Sequence, residues 1–381
     1  MLFVTGITGA FGVEILRILL RDYKDKEVVA LIRASDPQKL VERWTRLLAI
    51  ASDGEVKPED VPAFTPLAGD ITKPHLGLSV AQVQSLCDGV EEIIHSAATV
   101  DFDEPLDSSR IINVEGTRNV LRLATDCARL RKFAHVSTLY VAGRRSGDIF
   151  EHELEHSEGF VTMGYEESKY EAELLIRQYM SRLPITVYRM SLLMGCLRDG
   201  YVNDYGAIHR YLMFMYRGIA PCFPGISSCP LDFLPYDYSA ECFMTLFGEH
   251  FKGGDTYQIS AGERSPTTER WLELTAQTYA KHSASWRKGS YNSPDIVTWP
   301  TYQLYKKTIL TIENMEFMKV VRILDSCAEE CFCPKVFKRD KLNAALGVDM
   351  DTVPDYEGYY PRILDHCIEM NWGLSPKFVK A

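Results

Sequence analysis

Through the first half of the chain, short apolar runs bounded by polar residues or glycine alternate with longer stretches whose apolar residues recur at helical spacing. Met1 to Val4 supplies a buried strand, and Val13, Ile15, Leu16, Ile18, Leu19 and Leu20 repeat as one face of a helix. EVVALI (27–32) predicts a second strand, PQKLVERWTRLLAI an amphipathic helix, FTPLAGD a third strand and VEEIIHSAA a fourth. A long helix is expected over roughly 106–130, then the strand KFAHVST, a helix over 168–180 and the strand ITVYRM. This βαβ rhythm implies an α/β fold: a Rossmann-type, doubly wound parallel sheet, which binds its ligand outside the carboxyl ends of the strands. After Met190 the rhythm changes. Residues 192–229 are rich in aromatics and glycine, PLDFLPYDYSAECFMTLF resumes with a short strand and a helix, GDTYQIS reads as one more strand, and helices dominate beyond Ser265. The expected division is a nucleotide domain over 1–191, to which 230–262 returns, and a smaller, mainly helical substrate cap made of 192–229 and 263–381.

Composition narrows the class. With 381 residues, 46% hydrophobic and 25% charged, the chain has the make-up of an ordinary globular protein, and its formal net charge of −10 argues against a nucleic-acid partner. No run approaches the roughly 18–20 apolar residues of a membrane span, and no basic and apolar leader precedes the first strand, so a cytoplasmic location is expected. The ten cysteines are scattered through apolar segments, as reduced thiols packed as small hydrophobes would be. Cys327, Cys331 and Cys333 form one cluster that lacks a fourth ligand at zinc-site spacing, so no metal is expected.

The turn between the first strand and helix reads VTGITGAFG. Gly6, Gly9 and Gly12 at that point let backbone N–H groups approach a pyrophosphate at a helix N-terminus, where the macrodipole favours negative charge. The end of the second strand reads LIRAS, with Arg33 where NAD-type sites place an acid for the ribose 2′-OH, about 20 residues beyond the motif. Arg33, with Lys39 and Arg43 beyond it, makes a basic pocket for a 2′-phosphate, which favours NADPH; Asp36 close by keeps NADH open. Asp70, in AGDI, stands where the adenine edge would lie, and Ser96, Ala97 and Ala98 are small residues at the end of the fourth strand, where the cofactor backbone would pass.

The chemistry signal is GYEESKYEAELL. Tyr165 and Lys169 stand one helical turn apart, and a lysine ammonium near a phenol lowers its pKa from about 10 toward the working range, which suits a proton donor. HVSTLYVAG, upstream, delivers the hydroxyls of Ser137 and Thr138 to the carboxyl edge of the sheet.

Taken in order, TGITGAFG, ALIRASD with Arg43, GDITKPHLGLS, IIHSAATVDF, NVEGTRNVLRLA, HVSTLYV, GYEESKYEAE, YRMSLLMG and LDFLPYDYSA resemble the extended short-chain dehydrogenase/reductase superfamily over most of residues 2–260. Within it the chain is similar to the thioester reductase group. That group comprises the terminal reductase domains of nonribosomal peptide synthetases, polyketide synthases and carboxylic acid reductases, with fatty acyl reductases as relatives. The resemblance implies a Thr-Tyr-Lys catalytic set on Thr138, Tyr165 and Lys169, with Asn113 helping to order the site. It also implies cofactor contacts from Thr5, Gly6, Thr8, Gly9, Ala10, Phe11 and Gly12 in the turn. Further contacts are implied at Arg33, Arg43, Asp70, Ile71, Ser96, Ala97, Ala98, Asn113, Tyr165 and Lys169, and at Arg189, Ser191 and Leu192 after the later strand. Two positions depart from the family pattern: AFGVEIL stands where a phenylalanine-leucine pair is common, and YRMSLLMG lacks the proline that often follows the arginine.

The implied reaction is NADPH-dependent reduction of an acyl thioester, on CoA or on the phosphopantetheine arm of a carrier protein, to an aldehyde and then optionally to a primary alcohol. Two other classes stay open: a related reductase or epimerase acting on a free aldehyde, ketone or nucleotide sugar, and a cofactor-sensing protein without catalysis. Cys196 is read as a packed thiol in preference to an acyl-enzyme nucleophile. The run Tyr211 to Tyr216 is read either as core or as the wall of a lipophilic substrate channel. RLRK (129–132) and KVFKRDK (335–341) are the visible basic candidates for contact with a carrier, each also readable as a solvated helix end.

Overall fold

The protein is described here from a computed structural model, over residues 1–312, 315–347 and 352–374. Seven strands form a wholly parallel sheet: β1 (Leu2–Thr5), β2 (Val28–Ile32), β3 (Phe64–Ala68), β4 (Glu92–His95), β5 (Lys132–Thr138), β6 (Ile185–Met190) and β7 (Thr256–Ile259). Their order is β7-β6-β5-β4-β1-β2-β3. The direction of strand addition reverses between β1 and β4, which pair with Thr5 opposite His95. In open α/β sheets a ligand binds at such a switch point, beyond the carboxyl ends of the strands.

Side chains of each strand alternate between two cores. Leu2, Val4, Ala30 and Ile94 join α1 (Ala10–Asp22), α2 (Pro37–Ala51) and the later helix Tyr236–Gly248 on one face. Phe3, Val29, Ile93 and Val187 meet α3 (Val80–Gly89), α4 (Gly116–Asp126) and α5 (Ser168–Tyr179) on the other. Burial of each such Leu, Ile or Phe contributes about 1.5–3 kcal/mol. Asp36 starts α2 by accepting from the Lys39 amide at 2.8 Å, with Pro37 at the first helical position. Ser79 and Gln82 form a capping box on α3.

A third core lies apart from the sheet. It joins α6 (Ala207–Tyr216), α8 (Thr268–His282), α9 (Trp299–Ile312), α10 (Met315–Cys327) and α11 (Tyr356–Glu369), α7 being Tyr236–Gly248 of the sheet layer. Its filling is aromatic, with Tyr211, Trp271, Tyr279, Tyr302, Tyr359 and Tyr360 all 1% exposed or less. The hydroxyls are satisfied: Tyr211 donates to the Cys222 carbonyl at 3.0 Å, Tyr279 to that of Leu212 at 2.8 Å and Tyr359 to that of Phe233 at 3.1 Å. One segment expected in the cap belongs with the sheet. Lys335–Phe337 pairs in parallel with Gly147–Ile149, and Leu342 and Val353 are buried in the core shared by α1, α2 and α7. No helix among the described residues is long and apolar enough to cross a membrane.

Candidate active site

The turn from β1 to α1 needs two of its three glycines for its own folding. Gly6 has φ +81, and a Cβ there would fall 2.4 Å from the Ala97 nitrogen; one on Gly12 would fall 2.3 Å from the Gly6 oxygen. Gly9 is different. A Cβ on it would meet only the Gly6 oxygen, at 3.5 Å, and as the N-cap it leaves the first amides of α1 without a side-chain acceptor. The open space in front of Gly9, Ala10 and Phe11 is therefore a fitting cradle for a pyrophosphate.

Beyond the ends of β2 and β3 lies a pocket of about 360 Å³ lined by Arg33, Ala34, Ser35, Gly69, Asp70 and Lys73, among others. Arg33 is exposed, and the Arg43 guanidinium donates to its carbonyl. Asp36 is occupied in capping α2 and lies 3.7 Å from Lys39. Burial opposes charge on Asp70, but hydrogen bonds from the Thr72 amide and hydroxyl, with Arg33 and Lys73 nearby, leave its carboxyl below the usual value.

At the end of β5 the two neighbouring hydroxyls part company. Ser137 donates to Glu173 at 2.7 Å, whereas Thr138 lies beside the Tyr165 phenol, its own oxygen accepting from the Tyr140 amide at 3.3 Å. Tyr165 is buried in a wide π-helical turn, Met163–Glu167, that runs into α5. A second π-turn, Ile111–Glu115, holds Asn113. The Asn113 amide donates to Ser168 at 2.9 Å and accepts from the Thr99 amide at 2.9 Å, and Ser168 donates to the Tyr165 carbonyl at 2.9 Å. Asn113 thus ties the loop after β4 to the helix that carries Tyr165 and Lys169.

The electrostatics depart from expectation. Burial pushes the Tyr165 phenol up to about 12, against a lowering by Thr138, and the Glu166 charge adds to the rise. The Lys169 ammonium, expected to lower it, donates to the Val136 carbonyl at 2.8 Å. Burial lowers Lys169 itself to about 8, with Glu173 opposing. Below it His95 is pushed down to about 3 by burial and by the Lys169 charge, and His135 is lowered for the same reasons, so both rings are neutral. Thr117 donates to the Asn113 carbonyl at 2.6 Å and so accepts from His95 Nε2–H at 3.0 Å, which leaves His95 Nδ1 to accept from Thr5 at 2.8 Å.

Several residues expected at the cofactor are committed elsewhere. The Thr5 hydroxyl faces His95. Ile71 is 7% exposed, packs over Gly116 and gives its carbonyl to Asn119 at 2.8 Å. Arg189, 1% exposed, forms a buried pair with Glu173 at 2.6 Å and donates to the Glu153 carbonyl. Ser191 donates to the half-buried Asp232 at 2.5 Å, and Leu192 pairs in a short strand with Phe233. The common reason is burial: each polar group on this edge needs a partner within the protein. Ser96, Ala97 and Ala98 remain half-buried beside Gly6, and Thr8 is half-buried in the turn.

Sequence reasoning did not single out Phe102 and Tyr140, whose rings lie 5.2 and 6.4 Å from that of Tyr165 and wall the site. Nor did it find the buried group of Glu166, Glu330 and Lys335. Burial raises Glu166 to about 8, Glu330 adds to the rise and Lys335 opposes it, while Lys335 pairs with Glu330 at 2.7 Å. Both aromatics lie inside the quoted motifs, IIHSAATVDF and HVSTLYV, which is the signal that would have found them.

Cys196 is 2% exposed, and burial with Glu14 beside it raises its thiol far above the ordinary value, so the packed reading stands. Cys331 is buried, Cys333 half-buried, and the Cys327 side chain lies outside the described residues; among those described, no group of His, Cys, Asp and Glu is arranged to hold a metal ion. The two basic stretches find partners within the protein to different extents. Arg129 and Arg131 pair with Glu91, and Lys132 donates to the Phe247 and Gly248 carbonyls. Lys335 and Arg339 are buried, Lys338 pairs with Glu263 at 2.7 Å and Lys341 with Asp255 at 2.9 Å. The second stretch is thus engaged within the protein, whereas Arg129 and Arg131 share the one carboxylate of Glu91 and keep their side chains 63% and 69% exposed.

The profile of the family described as male sterility protein, an NAD-binding domain, matches residues 4–243. Fatty acyl-CoA reductase wat of Drosophila melanogaster is 27% identical over 272 residues, covering 64% of this chain and 53% of its own length. A nonribosomal peptide synthetase of Aspergillus hancockii is 27% identical over 277 residues, 70% of this chain and 27% of the synthetase. The chain therefore spans about half or less of these two relatives. The crystal structure of the terminal R domain from the myxalamid PKS-NRPS biosynthetic pathway superposes with a TM-score of 0.80 at 25% identity, over 99% of this chain and 92% of that one.

Proposed function

Because the chain belongs to the male sterility protein family, in the thioester reductase group of the extended short-chain dehydrogenases/reductases, we propose that it reduces an acyl thioester with NADPH. The observation that carries this reading is the phenol of Tyr165. It is buried, held protonated by a pKa of about 12, and lies beside Thr138 at the carboxyl edge of the sheet. NADPH supplies a hydride to the carbonyl carbon. The parts of this chain that fit the cofactor are the amides of Ala10 and Phe11 at the start of α1, the Arg33–Asp70 pocket and the small residues Ser96 to Ala98. Arg33, exposed and with Asp36 engaged as a cap, is the group for the 2′-phosphate.

Tyr165 and Thr138 hydrogen-bond the carbonyl oxygen as it gains negative charge, and Tyr165 transfers its proton to that oxygen. Lys169, lowered to about 8 by burial, is the ammonium for the nicotinamide ribose beside the phenol. The hemithioacetal then loses its C–S bond, the thiol departs with a proton, and an aldehyde remains, open to a second reduction. No cysteine nucleophile is required. In this reading 1–191 with 230–262 holds the cofactor and the aromatic cap bounds the acyl group, which arrives on a phosphopantetheine arm. The test is NADPH oxidation with acyl-pantetheine, acyl-CoA and free aldehyde, with products identified. Thioester consumption with aldehyde or alcohol release is expected; reduction of free carbonyls alone would replace the proposal with that of an aldehyde or ketone reductase.

A further inference from the structure

The buried group of Glu166, Glu330 and Lys335 has no part in the proposed reduction, yet it stands where three segments meet. Glu166 follows Tyr165 directly in the π-helical turn and is 1% exposed, its Oε2 accepting from the Val161 amide at 2.9 Å. Lys335 opens the strand that pairs with Gly147–Ile149 and donates both to Glu330 at 2.7 Å and to the Gly143 carbonyl. Gly143 ends the short turn that follows Thr138; it has φ +53, and a Cβ on it would fall 2.2 Å from the Gly159 oxygen. One cluster thus spans the segment behind Thr138 and the turn that bears Tyr165.

Its charges do not balance. Two carboxyls and one ammonium are largely closed off from water, and a second anion without a cation is costly there. Arg110 and Arg144, on flanking segments, are engaged with Glu171 at 2.5 Å and Glu329 at 2.9 Å. The thiols of Cys229 and Cys333 beside the group are raised by burial and stay neutral, as does the Tyr165 phenol. Glu330 Oε1 shows where a proton belongs, being buried with no hydrogen-bond partner among the described residues. Burial raises Glu166 to about 8 and the Glu330 charge adds to the rise, in keeping with a carboxylic acid at neutral pH. We propose that Glu166 is a positioning residue: as a neutral acid it donates to Glu330, and with Lys335 this bond clasps the turn bearing Tyr165 to the segment behind Thr138. One carboxylate then faces one ammonium. The clasp fixes the separation of phenol and hydroxyl, which a joint hydrogen bond to one carbonyl oxygen requires. The role rests on the proposed reduction at Tyr165, through which Glu166 acts.

The test measures kcat with NADPH and an acyl-pantetheine thioester at about pH 7, and NADPH affinity by calorimetry, for the full chain and three variants. Glu166→Gln keeps a donor for Glu330 and should stay within about threefold of the parent kcat. Glu166→Leu removes the donor and Lys335→Met the cation, and each should lower kcat about tenfold or more while NADPH affinity changes less than about twofold. Loss of fold would lower both together. A second readout serves any variant that folds poorly. The unfolded chain ionises Glu166 near its ordinary 4.5 and the folded chain only near 8, so this group withdraws stability as pH rises through that window. Denaturant midpoints of the parent should therefore lose ground to those of Glu166→Gln between about pH 5 and 8. Parent kcat in Glu166→Leu, a fall in Glu166→Gln as deep as in Glu166→Leu, or a midpoint difference that ignores pH would overturn the inference and leave thioester reduction standing. If the parent consumes no thioester, the functional proposal falls and takes the positioning role with it.

Discussion

At the carboxyl edge of the sheet the buried groups are polar: His95, Asn113, Thr138, Lys169, Glu173 and Arg189 are each 4% exposed or less. In the cap the buried groups are aromatic, and their hydroxyls end on nearby carbonyls or, for Tyr360, on Thr275. Burying charge opposes folding unless each group is paired, so the edge is held by long-range hydrogen bonds such as Ser137 to Glu173 and Asn113 to Ser168. The cap is held by area. The polar edge therefore has tightly fixed chemistry, and the aromatic cap tolerates conservative change in its interior.

The largest effect on stability should come from the edge. Arg189→Met leaves Glu173 buried without its cation, and a loss of about 3–5 kcal/mol is expected in denaturant unfolding. A loss under about 1 kcal/mol would mean the pair is no more demanding than an ordinary core contact. Next comes cofactor choice. Arg33→Ala removes the cation proposed for the 2′-phosphate, so the preference for NADPH over NADH should fall by about tenfold or more in calorimetry. Equal affinities in the parent protein would remove Arg33 from the site.

The titrations sharpen the same contrast. Lys169, lowered to about 8 by burial, loses its charge above that pH, so kcat/KM should fall on the alkaline side of about pH 8. His95, lowered to about 3, stays neutral and should add no limb to that profile near 6.5. The unfolded chain protonates His95 near its ordinary value of 6.5 and the folded chain does not, so this group withdraws stability as pH falls from about 6.5 toward 3. A pH profile of unfolding midpoints checks the sign. The smallest effect belongs to the cap: Tyr360→Phe removes only the hydroxyl bonded to Thr275 at 2.8 Å and should cost about 1 kcal/mol.

The sheet was legible in the sequence because its strands are short apolar runs and its helices carry one apolar stripe, both local patterns. The glycine turn was legible for the same reason. The commitments of Thr5, Ile71, Arg189 and Ser191 were not, since each depends on a partner brought close only by the fold: His95, Asn119, Glu173 and Asp232. The two π-turns have no periodic signature, and they seat Tyr165 and Asn113. Likewise KVFKRDK reads as a charged surface until Lys335 is seen buried against Glu330.

The central claim is that hydride reaches a thioester carbonyl with Tyr165 as proton donor. The most direct measurement is a single turnover with NADPH deuterated at the transferred position of C4, an acyl-pantetheine thioester and mass spectrometry of the product. The account predicts one deuterium at C1 of the released aldehyde, and a loss of about 10²–10⁴-fold in rate for Tyr165→Phe with NADPH affinity nearly unchanged. Unlabelled product, untouched thioester, or full turnover by Tyr165→Phe would contradict it.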